Sequence, residues 1–443
     1  MRSGAATLGS MPVYKLIFVT LFLVLTSVIS RGQSFNDFDQ SPHDYWTAAM
    51  KDPMTQLLER VERQEIVLDE KPGLALVRRL LRELDIPVES QVLVFSRTSL
   101  QRGSVSPANP RAIFFNEETY LGWMPGGRIE IASSDPERGA VFFFQRKLDD
   151  QRGQLFVRDR VCIQCHAGSA TNFLPGLLAK SVYPDNRGRS LKSVDSFERV
   201  GHHVPISDRW GGWYVTGGHS QLEHMGNAIA SRSKSGLKLA VDDQAIKDGF
   251  SNLLHGARYP ATTSDVVALL VMDHQVSMHY HLMEASYLVR QALHDAARKG
   301  KKDTPNGKVS VLPDMVSKAL DKATNQVVHH LLFADEAPIK AEIPVNGAFA
   351  ESFLSRAVSD KGGRSLREFE LKDRIFRYRC SYMIYSKVFR GLPEMLRKAI
   401  YFRLNEVLTA KNPPEGYQYF IPGERSAILE ILKETLSEFK AAI

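Results

Sequence analysis

Residues 91–145 read QVLVFSRTSLQRGSVSPANPRAIFFNEETYLGWMPGGRIEIASSDPERGAVFFFQ, and short runs rich in Val, Ile, Phe and Tyr recur through them. Gln91–Ser96, Arg111–Phe115, Thr119–Trp123, Arg128–Ala132 and Gly139–Phe144 have the length and composition of strands. Pro107, Pro110, Pro125-Gly126-Gly127 and Asp135-Pro136 fall between them as turn signals. Gln154–Val157 and Gly212–Thr216 extend the pattern, which predicts a small mixed or antiparallel sheet. On the N-terminal side the period changes. Met50, Met54, Leu57, Leu58 and Val61 recur at helical spacing, and Gly73–Leu84 repeats it.

On the C-terminal side, after about Gly236, the chain reads as helical. Ser264–Lys299 is a long amphipathic segment entered after Pro260, with Thr and Ser as caps. Gly300–Leu312 reads as a polar linker, and Pro313–Ala334 as a helix with proline at its start. Asp335–Gly363 reads as mostly irregular, and Leu392–Thr409 and Gly423–Lys440 as closing helices. The expected fold class is α+β, a small sheet domain followed by a helical domain. The expected organisation is a leader over 1–32, an N-terminal helical segment over 33–90, the sheet domain over 91–235 and the helical domain over 236–443.

Directly after the last of the first six strands comes Cys162-Ile163-Gln164-Cys165-His166, the spacing of c-type haem attachment. Each thiol adds to a vinyl group of the porphyrin, and two intervening residues let both sulfurs reach the ring. The next residue then lies under the iron, where imidazole is an axial ligand. A redox dithiol would take the same CxxC spacing in a thioredoxin-like context. Structural zinc would need a second ligand pair, and the third cysteine, Cys380, stands apart. Three cysteines in 443 residues exclude a disulfide scaffold. Cys380 itself, in an apolar-aromatic stretch, reads as a small buried residue.

The ends agree with haem chemistry. Met1–Lys15 carries Arg2 and Lys15 without an acid, Leu16–Ile29 is an apolar run, and Ser30-Arg31-Gly32 supplies small residues for cleavage. This is the order of a secretory signal, and the run falls short of the roughly 20 residues that span a bilayer. The expected location is periplasmic or otherwise exported, with an uncleaved N-terminal anchor as the alternative and no transmembrane span after cleavage. Haem is attached to exported apocytochromes after translocation, so leader and motif are consistent. A formal charge of +7, less Arg2, Lys15 and Arg31, leaves about +4 on the mature chain. That suits an acidic redox partner or an anionic surface and is too weak to argue nucleic acid.

The runs RDRVCIQCHAG, LPGLLAKSVYPDNRG and RWGGWYVTGGH, together with HMGN, MDHQVSMHYHLMEASY and RYRCSYMIYS, resemble a bacterial family of exported cytochrome c domain proteins. The likeness extends over most of the mature chain and implies one covalent haem and electron transfer. A looser likeness covers residues 90–217. A CxxCH followed by a YPD segment and a Gly-Trp strand resembles the haem-bearing PAS-like domains of periplasmic sensors. Those sensors continue into a membrane helix and a signalling domain, and neither pattern is present in this chain.

The sixth iron position separates electron transfer from catalysis or sensing. Met225, His224 and His202 are candidate distal ligands, with His203 and His219 nearby in sequence. His274, Met278 and His281 share one face of the long helix and would pack over the haem, bind a second metal, or simply fill the core. Arg209 suits a haem propionate, and Trp213 suits the porphyrin face or a sheet core. Electron transfer to a partner protein is the expected role. The alternatives are a peroxidase- or oxidase-like enzyme, with His274 or Glu284 as acid–base groups, and a redox or gas sensor.

Overall fold

A computed structural model describes residues 38–146, 155–193, 200–217, 222–234, 236–241, 258–303, 312–345 and 347–443. The leader over 1–32 and His219 lie outside the described residues. Two helices come first, α1 (Pro53–Glu62) and α2 (Leu74–Glu83). Asp52 starts α1, its Oδ1 accepting from the Met54 and Thr55 amides at 3.0 Å, with proline in the first helical position. The helical spacing read from Met50 becomes helix only at Pro53, because this cap and Pro53 set the start.

Six strands follow: β1 (Val92–Val94), β2 (Arg111–Phe115), β3 (Thr119–Trp123), β4 (Glu130–Asp135), β5 (Gly139–Gln145) and β6 (Phe156–Arg158). Side-chain carboxyls and amides make their turns. Asn116 Oδ1 accepts from the Glu118 and Thr119 amides between β2 and β3. Asp135 Oδ1 accepts from the Glu137 and Arg138 amides between β4 and β5, with Gly139 at φ 78°. After β6 come the one-turn α3 (Ile163–His166), the hairpin of β7 (Val182–Pro184) and β8 (Ser190–Ser193), β9 (Trp213–Tyr214), and the hairpin of β10 (Ala228–Ser233) and β11 (Gly236–Val241). These two short hairpins were not expected from the sequence. The main sheet is antiparallel in the order β6-β5-β4-β3-β2-β1-β9, so the fold is α+β.

The helical part comprises α4 (Val266–Asp303), α5 (Asp314–Leu331), α6 (Ala348–Ser355), α7 (Lys387–Arg390), α8 (Glu394–Thr409), α9 (Glu424–Thr435) and α10 (Ser437–Ala442). The cap of α4 is Asp265 and not a hydroxyl residue. Its Oδ1 accepts from the Val267 amide at 2.7 Å. Ser264 is turned to the sheet instead, donating to the Tyr214 carbonyl at 2.6 Å and accepting from the Leu93 amide at 2.8 Å. One hydroxyl thus ties β1 and β9 to the start of the long helix. Among the described helices, none is long and apolar enough to cross a membrane.

Strand alternation sorts the sheet into two faces. Leu93, Phe114, Leu121, Ile131 and Phe143 join the cluster that covers α1 and α2. Val94, Tyr120 and Phe142 join the larger core, which continues through α4 and α5 to α9 and α10. Residues 266–279 of α4 are all buried, Asp273, His274, Gln275, Ser277 and His279 among them, so the helix runs through the core and carries its polar groups inside it. Residues Phe38–Ile443 accordingly pack as one unit.

His279 of α4 yields a pH test. Its Nε2–H donates to the Glu117 carbonyl at 2.9 Å, and burial pushes its pKa down to about 4. The folded protein keeps this imidazole neutral, while the unfolded chain protonates it below 6.5. Its contribution is therefore complete above pH 6.5 and is lost as pH falls towards 4, by about 3 kcal/mol. Urea unfolding at pH 7 and pH 4.5 checks this. His279→Gln should flatten the difference by that amount, and an unchanged slope would assign the acid lability to other groups.

Candidate functional site

The CxxCH motif sits where the chain leaves β6. Asp159 Oδ1 accepts from the Val161 amide at 2.9 Å and starts a short 3-10 turn, Arg160–Cys162, that passes into α3. Both cysteines are free thiols, Cys162 half-buried and Cys165 exposed. Burial pushes the Cys162 thiol up to about 12, so it is protonated at neutral pH and is not a thiolate nucleophile.

His166 ends the turn. A carbonyl can only accept, so the 2.9 Å contact to the Gly176 carbonyl places the proton on Nδ1. Nε2 is then left with its lone pair, the arrangement of a metal-ligating histidine fixed by a backbone partner. Burial pushes this imidazole down to about 4, which keeps it neutral, and Phe142 packs on it at 4.3 Å between ring centroids.

The three motif residues wall a cavity of about 480 Å³ between the sheet and α4. That lies inside the ordinary range for cofactor pockets, roughly 300–1,000 Å³. The floor is the alternating face of four strands: Arg111 and Ile113, Tyr120 and Gly122, Glu130 and Ala132, Phe142 and Phe144. Met272 and Val276, one turn apart on α4, form the far wall. Arg97, Arg102 and Lys180 supply cationic groups to the lining.

Register explains the polar part of the floor. Gly122 pairs with Ile113 on one side and with Glu130 on the other. The Arg111 guanidinium crosses Gly122 to reach Glu130, Nη1 to Oε2 at 3.1 Å. A Cβ on Gly122 would lie 2.6 Å from Arg111 Nε, so a larger residue there would push the guanidinium off this path. Arg111 Nε and the Tyr120 hydroxyl are buried polar atoms without a hydrogen-bond partner. An apolar slot with cationic groups and unpaired donors fits a flat apolar macrocycle bearing carboxylates, and the donor set of two thiols and one imidazole fits haem c.

The remaining sequence candidates divide. The Trp213 ring lines the cavity, its Nε1 donating to the Lys180 carbonyl at 2.9 Å. Arg209 is buried beside it but points elsewhere. It donates to the His202 carbonyl at 2.9 Å and to Val204, and lies 3.7 Å from Asp273 Oδ2. Met225 is buried next to Gly211, its sulfur accepting from Ser181 Oγ at 3.7 Å. His224 packs against Trp210, with burial lowering its pKa. Met278 is fully enclosed in the core. Among the described residues lining the cavity, the one methionine is Met272, which the sequence reading passed over.

His202 and His274 meet in a second place. The polar face of α4 turns away from the cavity, since Met272 and His274 are two residues apart and about 200° around a helix. There His202, His274 and His330 lie together, fully buried. His281 packs on His330, tilted by 49° with ring centroids 4.2 Å apart, and accepts from Gln326 Nε2 at 3.0 Å. Gln326 also donates to Glu284, which in turn accepts from Asn172 at 3.0 Å, in the loop just after the CxxCH turn. His330 lies near the end of the helix read over Pro313–Ala334, and no local signal places it beside His202 and His274.

The chain matches no family model, and it matches no curated protein and no solved structure.

Proposed function

We propose that this is an exported mono-haem c-type protein whose role is one-electron transfer to a partner protein. The observation that carries the reading is His166: its Nδ1–H is committed to Gly176, its Nε2 is available, and it stands with Cys162 and Cys165 on the wall of one cavity. Attachment would add each S–H across a vinyl double bond, forming a C–S bond and passing the proton to carbon, without net oxidation. The bound group supplies a one-electron couple. Residues of this chain would hold it: Cys162 and Cys165 by thioethers, His166 through its Nε2, and Arg97, Arg102, Arg111 and Lys180 as cations for propionates. Phe142, Trp213 and Val276 give the cavity apolar walls.

A second reading, a haem enzyme or sensor with an open or labile sixth position, draws on a specific observation. Met225, His224, His202, His274 and Met278 do not line the cavity, while the Tyr120 hydroxyl within it is unpaired. The test is the absorption spectrum of the exported protein, oxidised, reduced, and reduced under carbon monoxide. Electron transfer predicts haem that acid–acetone does not extract and a low-spin spectrum that carbon monoxide leaves unchanged. Ready carbon monoxide binding would move the function to catalysis or sensing, and colourless protein after expression with haem maturation would overturn both.

A further inference from the structure

We infer that His202, His274 and His330 form a binding site for a single copper(I) ion, separate from the CxxCH cavity. One ring nitrogen of each histidine lies within 4.8 Å of those of the other two, and all three side chains are buried. His202 Nδ1 and His274 Nδ1 are hydrogen-bonded to each other at 2.9 Å, a contact that an ion shared by the two nitrogens would replace. Each of His274 and His330 is oriented by a serine. His274 Nε2 contacts Ser381 Oγ at 2.7 Å, and His330 Nε2 contacts Ser277 Oγ at 2.8 Å. Such outer partners fix ring orientation at metal sites.

The histidines come from three separate places, the loop before Arg209, α4 and the end of α5. A core that merely needed filling would place apolar side chains there, since buried imidazoles must each find partners. The cluster is only partly satisfied: His202 Nδ1 pairs with His274, while its Nε2 is enclosed without a hydrogen-bond partner.

Charge selects the ion. The donors offer no thiolate and no carboxylate, and imidazole suits copper and zinc alike. Arg209 donates to the His202 carbonyl, with Asp273 as its counter-ion at 3.7 Å. A divalent ion among neutral ligands beside an arginine carries about four times the desolvation cost of a monovalent ion of the same size. Three neutral imidazoles hold zinc as well as copper, so the single charge beside Arg209 is what favours copper(I), and zinc is the competing outcome of the test.

The test uses the full exported protein, loaded in copper-supplied cells and also titrated anaerobically against a chromophoric copper(I) chelator. One copper per chain is expected beside any haem iron. His274→Gln and His330→Gln should weaken copper binding by at least ~100-fold, whereas His279→Gln, a buried histidine outside the cluster, should leave it unchanged. X-ray absorption at the copper edge of the unaltered protein should show nitrogen scatterers alone, and this holds even if a variant fails to fold. Absence of copper by both routes, a sulfur scatterer, or a site that retains zinc and rejects copper(I) would each overturn the inference.

Discussion

Cys162→Ala combined with Cys165→Ala is expected to abolish covalent haem entirely, while the polypeptide accumulates with its fold intact. The first half follows from chemistry: two thioethers need two thiols, and the third cysteine, Cys380, is buried in the core far along the chain. The second half follows from burial. Cys165 is exposed and Cys162 only half-buried, so their truncation removes little packed apolar surface. Haem staining on a denaturing gel and circular dichroism together read the two halves. Each single variant should retain one linkage and show a shifted reduced spectrum. His166→Ala should keep the covalent colour and lose the low-spin spectrum. Colour that survives denaturation in the double variant would sink the assignment of the motif.

The largest stability effect is expected at Arg379 and Glu424. Glu424 is almost fully enclosed, and its carboxylate takes Arg379 Nη2 at 2.6 Å and Nε at 3.0 Å. The same carboxylate also accepts from the Arg379 amide at 2.9 Å and the Ile421 amide at 3.2 Å. Glu424→Ala would leave a buried guanidinium and two backbone donors unanswered, a loss of about 3–5 kcal/mol. The shift in the urea midpoint at constant slope measures it. Arg379→Met together with Glu424→Leu should recover much of the loss, because an apolar pair carries no stranded charge. A loss below about 1 kcal/mol in the single variant would mean that water reaches the pair.

Much of this architecture is legible in the sequence where the signals are local. β2 and β3 coincide with the runs read at Arg111–Phe115 and Thr119–Trp123, and α8 differs from its expected start by two residues. The alternating pattern and turn residues act over a few positions, so they can be read without the rest of the chain. The helix α6 inside a stretch read as irregular, and the break at Leu436 between α9 and α10, arise where tertiary packing overrides a weak local pattern.

The candidate site was less legible. Cys162, Cys165 and His166 stand out because their spacing is the chemistry. Arg111, Gly122 and Glu130 do not, because only sheet register brings them into one row. Met272 and His274 show the same limit on a helix: their opposite faces follow from the period, but which face meets the sheet depends on partners elsewhere in the chain. The trihistidine cluster requires a loop and two helices at once.

The wall formed by Met272 and Val276 lies more than 100 residues beyond the cysteines whose cavity it closes. For the proposed haem protein, this topology bears on when the group could enter. As the chain emerges, the sheet face and the CxxCH turn are present while the slot is still an open shelf. A bulky group reaches that shelf unhindered only until α4 docks, tied down by Ser264 at β1 and β9. Afterwards entry requires the long helix to lift off the sheet, against the core that joins them. Delay in supplying the group would thus yield an empty, closed chain that has missed its loading interval, and the long helix acts as the clock.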